Sequence, residues 1–265
     1  MKIIDAFPFF NEFKMLDLRL NVLDKYVDKF ILVEATRSHQ DKLKPLFYEE
    51  NKHLFEKFNH KIEHIIVDDF PSHTYWSHET HQRDCIVRGL KDNCDPDDII
   101  FISDLDEIWN PITLVPQLHQ ISDANIYKWQ SLICYFYLNL VASENYWIQP
   151  MFMKYSLLKK MIDKGYSISV DLLRNQNNKN DINNIILPEL NGWHFSYTES
   201  PTYKLQNFLH SEYKDLSIEY IKECIGNKIN PFHKNKMHTI KSEVLDTFLP
   251  EYVVQNKDKF KDLIF

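Results

Sequence analysis

The stretch Asp98-Ile-Ile-Phe-Ile-Ser-Asp-Leu-Asp-Glu-Ile-Trp-Asn-Pro111 restricts the fold of this chain more than any other. Ile99 to Ile102 form an apolar run too short for a helix with a buried stripe of its own. The turn-forming Asp95-Pro96-Asp97 precedes it, so the run reads as a buried strand of a parallel sheet. At its carboxyl end Asp104, Asp106 and Glu107 arrive together. Ligands of open α/β sheets sit at the carboxyl ends of strands. Side chains alternate along an extended backbone, so Asp104 and Asp106 are expected on one side. Two carboxylates so close repel unless a divalent cation or a shared proton settles the charge. A hard cation with oxygen ligands is the natural occupant. An isolated Asp-x-Asp is common in proteins without metal; its place after a buried strand gives this one weight.

The flanking pattern supports an α/β architecture. Ile3 to Phe7 reads as a strand that Pro8 ends, with Asn11 as a helix cap and Glu12 in the first turn. Leu16, Leu20, Leu23 and Val27 then form an amphipathic face. Phe30 to Val33 is a second strand ending at Glu34, and strand–helix–strand order predicts a right-handed parallel unit. Glu34 stands where a ligand group is expected, although a solvated loop carboxylate fits the pattern equally. Ile62 to Val67 is a third strand. The Asp68-Asp69 pair after it consists of adjacent residues that point to opposite faces, and reads as loop solvation. Ser77 is placed as the cap of a helix reaching Leu90, with Gln82 and Arg83 on its exposed side.

Beyond Pro111, residues 112–121 read as a helix, and Ile126 to Trp129 and Leu132 to Leu140 as two aromatic strands. Tyr127, Trp129, Tyr135, Tyr137 and Trp147 can build a sugar platform or simply fill a core. Residues 156–164 are helical by pattern, and Asn175 to Asn184 is a polar loop. In Asn191-Gly-Trp-His-Phe-Ser-Tyr197 the glycine permits close backbone approach, and His194 has a short strand to sit on. Lys204 and His210 follow on an expected helix, and residues 249–265 read as an amphipathic helix docked on the core. No repeat or linker divides the chain, so residues 1–265 are expected to form one domain.

Charge and cysteine usage exclude several classes. A formal net charge of −7 without a long basic run argues against nucleic acid or an anionic membrane as the main partner. Cys85, Cys94, Cys134 and Cys224 show no paired framework and read as reduced thiols. No stretch approaches the ~18 apolar residues of a membrane helix, and an acid at position 5 comes too early for a signal peptide. A cytoplasmic location is expected. With four glycines and no Gly-rich phosphate loop, phosphate binding must use another device.

Taken together, these segments resemble glycosyltransferase family 17, the family of β-1,4-mannosyl-glycoprotein β-1,4-N-acetylglucosaminyltransferases. The resemblance is carried by Asp5-Ala-Phe-Pro-Phe-Phe-Asn-Glu12, Val27-Asp-Lys-Phe-Ile-Leu-Val-Glu34 and Lys44-Pro-Leu46. It continues in Asp97-Asp-Ile-Ile-Phe-Ile-Ser-Asp-Leu-Asp-Glu-Ile108, Gly192-Trp-His-Phe-Ser196 and Leu249-Pro-Glu-Tyr252. It implies a GT-A-like fold with a mostly parallel central sheet, flanking helices and a C-terminal helical segment. It further implies inverting transfer of N-acetylglucosamine from a UDP-sugar to a glycan hydroxyl. On that basis Asp106, Asp104 and His194 are expected to hold Mn²⁺ or Mg²⁺, with Asp104 reaching it through water or holding the ribose. Asn11 and Glu34 are assigned to the nucleotide, and Arg83 and Lys204 to the diphosphate. Single displacement needs a base; Glu107, Glu144, Asp171 and Glu199 are all open, with Glu107 nearest to the site in sequence. Two other classes use the same residues. An Asp-x-Asp phosphatase or phosphotransferase would make Asp104 a nucleophile, and a non-catalytic sugar-binding module would keep only the aromatic platform.

Overall fold

The computed structural model describes residues 1–70, 75–91, 93–142, 146–163, 170–174, 183–199, 204, 213 and 216–265. Strand β1 (Ile3–Phe9) runs on through Pro8. The β4 ladder stops at Ala6, which leaves Pro8 paired with β2 alone, where a proline is tolerated. Helix α1 (Phe13–Leu23) buries Leu16, Leu20 and Leu23 as its periodicity predicts. Asn11 does not cap it. The N–H groups of Lys14 and Met15 instead donate to the carboxylate of Glu199, at 3.1 and 2.6 Å.

Strand β2 (Lys29–Ala35) leads through α2 (Phe47–Asn51) and a 3₁₀ segment, Lys52–Phe58, to β3 (Ile62–Val67). Helices α3 (Tyr75–Asp84) and α4 (Ile86–Leu90) precede β4 (Ile99–Ile102) and β5 (Glu107–Trp109). Ser77 therefore lies inside α3 rather than at its cap. Asn110 caps α5 (Pro111–Leu114) by accepting from the N–H of Ile112. The two expected aromatic strands begin as a single one, β6 (Asn125–Tyr135), which breaks at Phe136, where φ is 67°. Then come β7 (Leu140–Val141), β8 (Met151–Lys154), α6 (Tyr155–Asp163), α7 (Val170–Arg174), β9 (Asn183–Ser196) and β10 (His238–Thr239). Residues 175–182 of the Asn-rich stretch, with His210, lie outside the described residues.

Among the described residues ten strands form one sheet in the order β10-β7-β6-β8-β4-β1-β2-β3, with β9 pairing β6 and β5. Strands β3, β2, β1 and β4 are parallel. Strand β8 reverses direction beside β4, so the sheet is mixed, with its parallel half on the side of β1. Alternation divides the core. Phe30 and Leu32 face α1, while Ile31 and Val33 face α4, which is why β2 is apolar throughout. The C-terminal segment also packs on the α1 side. It forms three short helical pieces, Glu251–Gln255, Lys257–Phe260 and Lys261–Leu263, rather than one helix, and buries Val253, Phe260 and Leu263. No helix among the described residues is long and apolar enough to cross a membrane.

Candidate functional site

The apolar run Ile99 to Ile102 delivers the acidic segment to the carboxyl edge of the parallel half. There the chain turns: the N–H of Glu107 donates to the carbonyl of Asp104 at 3.0 Å, and β5 departs antiparallel to β9 with Glu107 opposite His194. Asp104 and Asp106 therefore face the site through a turn, not through strand alternation. A buried guanidinium holds the turn. Arg19 donates to the carbonyls of Asp104, Leu105 and Glu107 at 2.8, 3.1 and 3.0 Å, and to Ser103 Oγ at 2.8 Å.

Each acid then has its own environment. Both oxygens of Asp104 accept from Arg83 (3.0 and 3.0 Å) and from Arg174 (3.0 and 3.3 Å). Burial opposes ionisation of this carboxyl, but the guanidiniums of Arg174 and Arg83 outweigh it and hold the group well below the usual carboxylate range. Glu107 is fully buried. Its carboxylate accepts from the N–H of Asp104 at 2.7 Å, from Arg174 at 2.8 Å and from the indole of Trp147. Lys128, buried beneath, donates to the carbonyl of Arg174 and fixes that end of α7.

Asp106 faces Lys204 and His194. Lys204 Nζ lies 3.0 Å from Asp106 Oδ2 and 3.1 Å from Glu12 Oε1. Burial disfavours the ammonium, yet Asp106 and Glu12 keep it charged well above the ordinary lysine range. His194 Nε2 is 3.7 Å from Asp106 Oδ1, and Trp147 packs on the imidazole with centroids 4.9 Å apart. The N–H of Phe195 donates to the carbonyl of Asp106 at 2.8 Å, tying β9 to the turn. These groups share one cavity of about 480 Å³ whose wall also carries Tyr135 and Tyr197.

A model of glycosyltransferase family 17 matches residues 1–156, more than half of the sequence. The chain belongs to glycosyltransferase family 17. Curated relatives include the β-1,4-mannosyl-glycoprotein 4-β-N-acetylglucosaminyltransferases of Rattus norvegicus and Homo sapiens, each 30% identical over 116 residues. That alignment takes in 40% of this chain and about a fifth of either relative, 21% and 22%. Among solved structures, a mannosyltransferase from Pyrobaculum calidifontis in complex with GDP-Man and Mn²⁺ is 9% identical. The match covers 88% of this chain and 67% of that one at a TM-score of 0.48. S. aureus TarS residues 1–349 are 13% identical, with 99% and 81% covered at a TM-score of 0.43.

The family 17 match includes Glu12, Arg83, Asp104, Asp106 and Glu107; Arg174, His194 and Lys204 reach the same cavity from beyond it. Of the residues singled out in the sequence, Arg83, Asp104, Asp106, Glu107, His194 and Lys204 come together. Asn11 and Glu34 do not line the cavity. Glu34 is fully buried and takes the N–H of Tyr48 at 2.9 Å and His64 Nε2 at 3.1 Å, with Lys44 Nζ 3.6 Å away. Its carboxylate joins β2 to α2 and β3.

Gln82 is not exposed either; it is buried and donates to the carbonyls of Phe9 and Val33. Tyr135 and Trp147 line the cavity, whereas Trp129 is core and Tyr127 is buried against Phe152. Glu199 caps α1, and the side chains of Glu144 and Asp171 lie outside the described residues. Sequence reasoning missed Arg19, Arg174 and Glu12 as site residues. An arginine within the apolar face of α1 was the available signal for the first. Arg174, at the end of Val170-Asp-Leu-Leu-Arg174, carried none.

Proposed function

We propose that this family 17 chain transfers a sugar, N-acetylglucosamine by the names of its relatives, from a UDP-sugar to a glycan hydroxyl with inversion. One observation carries the reading. Asp106, His194 and the Arg83–Asp104–Arg174 cluster face one cavity at the carboxyl end of β4, beside Lys204. The residues also fit a divalent cation. His194 is buried with no hydrogen-bond partner for Nδ1 among the described residues, its Nε2 points at Asp106, and Lys204 already places positive charge between Asp106 and Glu12. Carboxylate oxygen with imidazole suits Mn²⁺. Bound there, the ion would supply positive charge against that of the departing diphosphate, an effect worth several kcal/mol.

The residues have distinct parts in this mechanism. Asp106 and His194 would hold the ion. Asp104, committed to two guanidiniums, orients Arg83 and Arg174 toward the diphosphate, and Lys204 adds a third positive charge. Trp147 and Tyr135 offer faces for the sugars. Glu107, with three donors on its carboxylate, is a positioning group; among the described residues Glu12 and Glu79 are the remaining cavity carboxylates for the acceptor proton.

The test is UDP release from a panel of UDP-sugars with Mn²⁺, with Mg²⁺ and with EDTA, for the wild type and Asp106→Asn. Metal-dependent release from one donor, lost in the variant, is the expected outcome. Absence of release together with absence of UDP binding by calorimetry in Mn²⁺ would overturn the proposal.

A further inference from the structure

A second cluster of ligand-type side chains lies away from the cavity. Asp69 follows β3, and His81 and Cys85 stand four residues apart at the end of α3, where the N–H of Cys85 still donates to the carbonyl of His81 at 3.0 Å. None of the three lines the cavity. His81 Nε2 is 3.5 Å from Asp69 Oδ1 and 3.7 Å from Cys85 Sγ, and all three ligand atoms fall within 4.8 Å of one another. Tetrahedral zinc, with Zn–S near 2.3 Å and Zn–N and Zn–O near 2.0–2.1 Å, needs ligand atoms about 3.3–3.6 Å apart. Two of the separations already meet that requirement to within about 0.2 Å. We propose that Asp69, His81 and Cys85 form a mixed oxygen, nitrogen and sulfur site for a divalent metal ion of the zinc type, separate from the cavity.

The surroundings suit such an ion. Arg88 grips Asp69 with two hydrogen bonds of 2.8 Å, which fixes its carboxylate beside His81. Each carboxylate oxygen has a further lone pair for the metal. Cys85 is buried, with Sγ turned to His81 Nε2 at 3.7 Å. Binding breaks the S–H bond, forms the metal–sulfur bond and sends the proton to solvent. His81 binds through the Nε2 lone pair, with its own proton on Nδ1, and the ring of Phe70 packs against it at 5.7 Å. Thiolate and carboxylate together balance the double positive charge, while Arg88 stays on Asp69. The exposed side of Asp69 leaves the fourth position to water. The ion would clamp the exit of β3 to the helix that carries Gln82 and Arg83.

Co²⁺ titrated into the metal-stripped full chain under reducing conditions tests this, because a thiolate bound to Co²⁺ gives a near-ultraviolet charge-transfer absorption. No sulfur-bearing side chain lines the cavity among the described residues, so Co²⁺ held there gives no such band. One equivalent should produce the absorption, and Zn²⁺ should abolish it. Cys85→Ser should lack it, and Asp106→Asn should keep it. His81→Ala and Asp69→Asn, at partly exposed positions, should weaken Co²⁺ binding at least about tenfold while the circular dichroism stays native. Folded wild-type protein without the absorption, or undiminished Co²⁺ binding in His81→Ala and Asp69→Asn, would overturn the proposal.

Discussion

Arg19 and Asp5 meet in a two-point ion pair, Nε to Oδ2 and Nη2 to Oδ1 both at 2.8 Å, and neither side chain reaches solvent. The indole of Trp109 adds a third bond to Asp5 at 3.0 Å. The pair joins β1 and α1 to the turn that carries Asp104 and Asp106, because the same guanidinium holds three carbonyls of that turn. A buried pair of this kind adds little net stability over an apolar replacement, but breaking it leaves a charge unpaired.

Arg19→Ala is therefore expected to lower unfolding stability by about 3–5 kcal/mol. Arg19→Lys should recover only part of this, since an ammonium lacks the planar fork. Denaturant unfolding of both variants measures it; a loss below about 1 kcal/mol for Arg19→Ala would show that the turn stands without its anchor.

Asp106 is expected to matter for turnover far more than for folding. Its side chain is mostly buried but sits at the cavity wall, and its backbone carbonyl keeps the bond to Phe195 in any variant. Asp106→Ala should cost at least ~10²-fold in turnover, as loss of one electrostatic stabiliser does. A folded variant that retains turnover would remove Asp106 from the mechanism.

Legibility in the sequence followed the range of the interactions. The parallel half of the sheet was readable because its strands are short apolar runs broken by turn residues, and the face of α1 was readable from its period. That Asp104 and Asp106 reach the cavity was readable because they follow such a run, and that His194 reaches it was readable only from the short Gly-Trp-His segment that carries it. The cap of α1 was not: its donors are satisfied by Glu199, more than 180 positions away. The setting of Glu34 was hidden for the same reason, since its strand-end position says nothing of the buried partners waiting on α2 and β3. Arg174 was invisible because α7 is five residues long and gains its role only where it meets Asp104 and Glu107.

Gly192 shows the opposite case, a glycine whose purpose was visible early. A Cβ there would lie 2.6 Å from the carbonyl oxygen of Ile108 and 2.6 Å from Trp129 Nε1. The first of these is backbone and cannot swing away. Gly192→Ala should destabilise by about 1–3 kcal/mol, as overpacking does, and should shift β5 and β9 apart beneath His194. Thermal unfolding together with glycosyl-transfer turnover reads both effects; an unchanged midpoint and unchanged turnover would mean that the strands give way freely.

The cap supplied by Glu199 makes stability depend on pH. Burial pushes this carboxyl up to about 7, nearby Glu12 adds to the rise, and the two N–H donors of α1 only partly offset it. Below about pH 4.5 the folded and unfolded chains both carry the proton. Between about 4.5 and 7 only the folded chain keeps it, so each pH unit removes stability as the unfolded chain gains a favourable ionisation. Above 7 both are ionised and the loss is complete, on the order of 3 kcal/mol. Glu199→Gln, which cannot titrate, isolates the effect. The unfolding free energy of the wild type minus that of the variant should fall across pH 4.5 to 7 and then stay level. A difference that stays flat or rises through that window would mean that Glu199 ionises at least as freely in the folded chain as in the unfolded one.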